Sequence, residues 1–316
     1  MNVVSSARVR PEIQQELLDD YPNVHFHFFE RMEIVGSALE EADVLITYGE
    51  DVTEEHLQAA KKLKWIMVIS AGVEQLPFQA IKEKGIIVTN AKGIHAIPMA
   101  EYTLSMMLQV ARNAKRLISL EQEQTWDRRV PMIELNGQTV GVLGAGAIGQ
   151  EIARLAKAFR MKTIGMNSTG RTVSSFDQIV PPASVDTLLK NSDFVVSVLP
   201  FTKRTEGFMT YERFQLMKPS AVFINIGRGK TVKQTELLKA LEEKAISHAV
   251  LDVFEEEPLE ENHPFWTMDS VTVTPHLSGI SRQYQPRAFA IFRENFDSFI
   301  AGTPPLINRI NLDEGY

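Results

Sequence analysis

The chain has 316 residues, 44% of them apolar and 23% charged, a globular composition long enough for two domains. The formal net charge is -7 with no long basic run, which argues against nucleic acid as the main partner. There are no cysteines, so a disulfide framework, thiolate metal sites and a cysteine nucleophile are all excluded.

Short β-branched or aromatic runs alternate along the chain with stretches of helical period. Strands are expected at Val3–Ser5, Val24–Phe29, Val44–Tyr48, Trp65–Ser70 and Ile86–Thr89, and helices at Pro11–Asp20 and Glu54–Leu63. Pro98–Leu120 reads as one long helix, with Leu104, Leu108, Ala111 and Leu117 on one face. A polar passage, Glu121–Gly137, leads to a second set of strands: Thr139–Leu143, Lys162–Met166, Phe194–Leu199, Ala221–Ile226, Ala249–Asp252 and Val271–Thr274. Helices are expected among them at Ala147–Phe159 and Gln234–Lys244, and a last long one at Ser281–Ile300. Such βαβα alternation implies parallel sheets with helices on both faces. The two long helices read as connectors. The expected domains are 1–99 plus 286–316, discontinuous in sequence, and 100–285. No apolar run reaches the roughly 18 residues of a membrane span. The start, Met1–Arg8, has no charged-then-apolar signal pattern, and a cytoplasmic location is expected.

The sharpest local motif is Gly144-Ala-Gly146-Ala147-Ile148-Gly149, which follows a strand and opens a helix. Gly144 permits the tight turn, Gly146 leaves room for a pyrophosphate, and Gly149 allows close helix–strand packing. The exposed N–H groups of the helix start face the phosphates. The next strand should end in an acid that binds the ribose hydroxyls of NAD, but Asn167-Ser168-Thr169-Gly170-Arg171 stands there instead. Without a repelling carboxylate, and with Arg171 at hand, the segment favours NADP(H), NAD(H) remaining possible.

Three segments close later strands: Asn225-Ile-Gly-Arg228-Gly229, Asp252-Val-Phe-Glu-Glu-Glu257-Pro258 and Thr274-Pro275-His276. Ligands of open α/β sheets bind at these strand ends. Arg228 offers a planar fork for a carboxylate and polarises a carbonyl. His276 can exchange a proton near neutral pH, and Glu257 can orient it. His25 and His27 lack a carboxylate at ligand spacing, so no metal site is expected.

These segments resemble those of the D-isomer-specific 2-hydroxyacid dehydrogenases, over nearly the whole chain. Leu199-Pro200-Phe-Thr202-Lys-Arg-Thr205-Glu-Gly207 resembles the family's cofactor-covering turn. Asn90-Ala-Lys-Gly93 and Met99-Ala100-Glu101 resemble the entry to its nucleotide domain. The resemblance implies an α/β fold of two doubly wound parallel-sheet (Rossmann-like) domains with a cleft between them. It implies Arg228, Glu257 and His276 as catalytic residues. It further implies that Ser70, Ala71, Gly72 and Val73 join Arg228 in holding the substrate carboxylate, a turn of successive N–H groups suiting an anion. Leu199, Pro200, Thr205, Ile226, Gly227, Asp252 and His276 would border the cofactor, Asp252 at the nicotinamide carboxamide. A homodimer joined through the nucleotide domains is the implied assembly, with no membrane partner. Two departures stand out: Asn167, as above, and Glu74-Gln75-Leu76 where many relatives carry an Asp. The reaction expected is reduction of a small 2-keto acid. The alternatives are a phosphite-type dehydrogenase and an NAD(P)-sensing interaction protein of the same fold. Tyr48, Leu76 and His95 are the side chains expected to shape the substrate pocket.

Overall fold

In the computed structural model, residues 1–303 and 305–313 are described. The chain divides into two compact units, Met1–Ile94 with Ser281–Tyr316, and His95–Ile280.

The first unit holds β1 (Asn2–Ser5), α1 (Pro11–Asp20), β2 (His25–Phe28), β3 (Val44–Thr47), α2 (Glu54–Ala59), β4 (Trp65–Val68), α3 (Phe78–Glu83) and β5 (Ile87–Asn90). Its sheet is parallel, in the order β2-β1-β3-β4-β5. β3 and β4 are buried at every position, as continuous apolar runs covered on both faces must be. On one face lie Trp65, Ile13, Leu17 and the aromatic ridge Phe289, Phe292 and Phe296 of the C-terminal helix. The Trp65 and Phe292 rings stack at 5.5 Å.

The second unit begins with α4 (Ala96–Ala111) and α5 (Ala114–Gln122). It continues with β6 (Thr139–Leu143), α6 (Ala147–Ala158), β7 (Lys162–Met166), β8 (Gln178–Val180), α7 (Val185–Asn191) and β9 (Phe194–Ser197). Then come α8 (Tyr211–Leu216), β10 (Val222–Asn225), α9 (Gln234–Glu242), β11 (His248–Leu251) and β12 (Val271–Val273). α10 (Tyr284–Ala301) returns to the first unit. The seven-stranded parallel sheet runs β12-β11-β10-β9-β6-β7-β8. Successive side chains divide between its faces: Leu143, Val195 and Phe223 enter one core, Val142, Val196 and Ile224 the other. The strand order reverses between β6 and β9, the switch point at which doubly wound sheets bind ligands. Both sheets are thus parallel, as the alternation implied, and of the doubly wound α/β type that the resemblance implied.

One expected element is corrected. Pro98–Leu120 is two helices, broken where Asn113 adopts a left-handed φ of 52°. Asn enters that region more readily than most residues, and its side-chain amide here donates to the Pro131 carbonyl. α4 also begins two residues earlier than read, because Pro98 lies in the first turn, where a helix needs no N–H from it. No helix of the described residues is long and apolar enough to cross a membrane.

Candidate active site

The glycine loop follows from three different constraints. Gly144 has φ 115°, a region closed to most side chains. A Cβ on Gly149 would fall 2.1 Å from the Gly144 carbonyl oxygen, whereas a Cβ on Gly146 would meet nothing within 4 Å. Beside that open space α6 begins with the N–H groups of Ala147, Ile148 and Gly149, which have no carbonyl four residues back to bond. Open room, unpaired donors and the positive end of a twelve-residue helix fit a pyrophosphate.

After β7, Asn167 spends its side chain on its own loop. Its Oδ1 accepts from the Gly170 N–H at 2.6 Å, and its Nδ2 donates to the Arg171 carbonyl at 2.8 Å. This turn walls a pocket with Ala145, Ser168, Thr169, Arg171 and Val173. Its polar lining is hydroxyl, amide and guanidinium, without a carboxylate, and that set fits a phosphorylated ribose.

Leu199 and Pro200 follow β9. Thr205 closes their turn by donating to the Pro200 carbonyl at 2.6 Å and accepting from Thr202 N–H at 2.8 Å. Gly227 presses on this segment, and a Cβ there would lie 2.6 Å from the Leu199 carbonyl oxygen. The ends of β9 and β10 are thereby brought together, with Ile226 buried beneath them.

Arg228 extends from the end of β10. Asn225 holds its turn by accepting the Gly227 N–H at 3.2 Å. The guanidinium is exposed, with one N–H on the Gly227 carbonyl at 3.0 Å. The adjacent Gly229 abuts the glutamate segment so closely that a Cβ would fall 1.8 Å from the Phe254 carbonyl oxygen. In that segment Glu257 Oε1 accepts the Phe254 N–H at 3.0 Å, and Oε2 lies 2.7 Å from His276 Nδ1. In a neutral ring that faces a carboxylate, Nδ1 is the nitrogen suited to hold the proton, with Nε2 then an acceptor. The imidazole is half exposed.

His276 has the left-handed φ of 50°. Asp252, fully buried, imposes it. Its carbonyl accepts the His276 N–H at 2.9 Å, and its carboxylate accepts Leu277 N–H, Ser278 N–H and the Thr274 hydroxyl at 2.9, 2.9 and 2.6 Å. Tyr102 of α4 bonds Thr274 at 2.6 Å, and burial pushes its phenol up to about 12, so it stays protonated. Asp252 therefore organises the histidine loop from beneath. Neither this use of Asp252 nor the part of Tyr102 has a signature in sequence spacing.

His95 stands at the start of α4 with Nδ1 3.4 Å from the Gly279 carbonyl. Burial lowers its pKa and the Arg228 charge adds to this, while the Gly279 carbonyl acts in the opposite sense. It thus lies within the electrostatic reach of Arg228. Ser70–Val73 belong to the first unit. There Ser70 Oγ lies 3.0 Å from the Tyr48 carbonyl and 3.1 Å from that of Gly72, and Asn90 donates to the Ala71 carbonyl at 2.7 Å. Among the described residues no group of three or more His, Asp or Glu is arranged to hold a metal ion.

A doubly wound sheet with a phosphate-fitting loop, and a His–Glu pair at its strand ends, defines a dinucleotide-binding protein equipped for proton exchange. The profile of the D-isomer specific 2-hydroxyacid dehydrogenase NAD binding domain matches residues 104–278. A D-3-phosphoglycerate dehydrogenase of Methanocaldococcus jannaschii is 37% identical over 267 residues, 84% of this chain and 51% of the relative. The chain thus spans about half the length of that relative. A glyoxylate reductase of Pyrococcus horikoshii is 31% identical over 313 residues, 95% of this chain and 93% of the relative. The crystal structure of a D-isomer specific 2-hydroxyacid dehydrogenase family protein from Aeromonas salmonicida superposes with a TM-score of 0.89 at 31% identity, covering 99% of each chain. The chain belongs to the D-isomer specific 2-hydroxyacid dehydrogenase family.

Proposed function

We propose that the protein reduces a small 2-keto acid to the D-2-hydroxy acid, with NADPH preferred over NADH. The observation that carries the reading is the 2.7 Å pair of His276 Nδ1 and Glu257, on segments that follow β12 and β11, with Arg228 following the adjacent β10. The nicotinamide, when bound, supplies the hydride. Arg228 grips the substrate carboxylate and polarises the keto oxygen. Protonated His276 gives its Nε2 proton to that oxygen as charge develops on it, and Glu257 stabilises the imidazolium beforehand. Gly144, Gly146 and the amides of Ala147, Ile148 and Gly149 hold the pyrophosphate. Ser168, Thr169 and Arg171, on the loop shaped by Asn167, receive the 2′-phosphate. The turn at Ser70–Val73 supplies amides to the substrate carboxylate. The protein works as a homodimer, a reading supported by Trp126, 92% exposed, and by exposed Ile118, Met132 and Ile133 in the second unit.

The test is oxidation of NADPH and NADH against a panel of 2-keto acids. Turnover on the order of 10 per second with one acid is expected, faster with NADPH. His276→Ala and Arg228→Ala are each expected to lower kcat/KM by roughly 100- to 10,000-fold, with cofactor binding kept. Near-normal turnover by either variant overturns its role, and faster turnover with NADH overturns the 2′-phosphate assignment. Sedimentation of the same preparation as a monomer overturns the dimer.

A further inference from the structure

The carboxylate that serves His276 sits on a loop, and loops hold a geometry only as well as their anchors do. The anchor here is a pair of reciprocal bonds. The Gln234 N–H, at the start of α9, donates to Glu255 Oε2 at 2.7 Å, and the Glu255 N–H donates to Gln234 Oε1 at 2.6 Å. Glu255 thereby caps a helix start with a negative charge, the favourable polarity. Gln234 in turn fixes the backbone of the loop one residue after Phe254, whose N–H holds Glu257 Oε1. The amide cannot turn over freely, since its Nε2 lies 3.1 Å from His263 Nε2. Gln234 itself does not contact Glu257 or His276 among the bonds of the described residues.

We propose that Gln234, acting through Glu255, is a positioning residue for the Glu257–His276 pair; this rests on the reading of that pair as the proton donor. Gln234→Leu keeps much of the bulk of the side chain, one bond shorter, but leaves the Glu255 N–H unanswered. The loop then relaxes and Glu257 loses its alignment on Nδ1.

Two readouts test it. In the keto-acid assay, Gln234→Leu is expected to lower kcat about tenfold with KM changed less than twofold. Glu255→Ala is expected to do the same, and the double variant no more than either alone. Glu255→Gln, which keeps an acceptor for the helix N–H, is expected to retain most of the activity. Independently of turnover, the Nδ1–H proton of His276, assigned by its loss in His276→Ala, should lie far downfield in the wild type. It should move upfield or broaden in Gln234→Leu at an unchanged melting temperature. An unmoved resonance together with wild-type kcat overturns the proposal. A wild type that reduces no 2-keto acid defeats the functional reading instead, and the resonance still decides whether Gln234 sets the pair.

Discussion

Gly146 and Gly149, three positions apart, answer to different demands. At 149 an added methyl collides with the Gly144 carbonyl; at 146 it enters open space. Gly149→Ala is therefore expected to destabilise the second unit by roughly 1–3 kcal/mol, as backbone strain does. Gly146→Ala should keep its melting temperature within a few degrees yet weaken NADPH binding at least tenfold. Thermal melts and a fluorescence titration with NADPH measure both, and equal effects in the two variants would sink the distinction. The residue types of Arg228, Glu257 and His276 were legible because each lies just past a strand run, where a polar side chain has no core to enter. Their geometry was not legible. The left-handed backbone of His276 depends on four acceptor contacts from Asp252, made across more than twenty residues of chain. A sequence shows that Asp252 is acidic but not that its oxygens point inward.

At the scale of elements, the strands announced themselves through apolar runs, while α3, α7 and α8 did not. Helices of six or seven residues span fewer than two turns, so no periodicity accumulates, and their stability comes from packing. The edge strand β8, three residues long, is hidden for the same reason. The break at Asn113 went unread because its left-handed turn depends on a bond to Pro131, eighteen residues away. The edge of this sheet carries a titratable link. His248 opens β11 and bonds Thr272 of β12 at 3.0 Å. Burial, and then the charge of Lys115, lower its pKa from 6.5 to about 4. A histidine kept neutral in the fold contributes its full stability above the unfolded value. That stability falls as pH drops from about 6.5 towards 4, where the unfolded chain binds the proton first. The loss amounts to about 3 kcal/mol at most. His248→Gln is expected to flatten the decline in denaturation midpoint between pH 6.5 and 4. An identical decline in the variant would assign the acid sensitivity elsewhere.

The architecture of the whole molecule was the most legible property, because alternation of strand and helix constrains a parallel sheet without reference to any single residue. Discontinuity of the first unit could be suspected from the long last helix. Its physical content lies in the Phe289, Phe292 and Phe296 ridge against Trp65. That ridge has a consequence for biosynthesis. A ribosome releases residues 1–94, then the entire second unit, and only afterwards the aromatic ridge that fills the first unit's core. The amino-terminal strands must wait with Trp65 and its neighbours uncovered while some two hundred residues are made, at roughly 5–20 per second. A chain ended after residue 280 is expected to yield, under pulsed proteolysis, a protected fragment near 95–280 and a rapidly cut amino-terminal third. Equal protection of both would show that the strands need no ridge. The interval of greatest exposure to aggregation is therefore the one before α10 emerges, when strands made ahead of the whole second unit still lack the ridge that covers them.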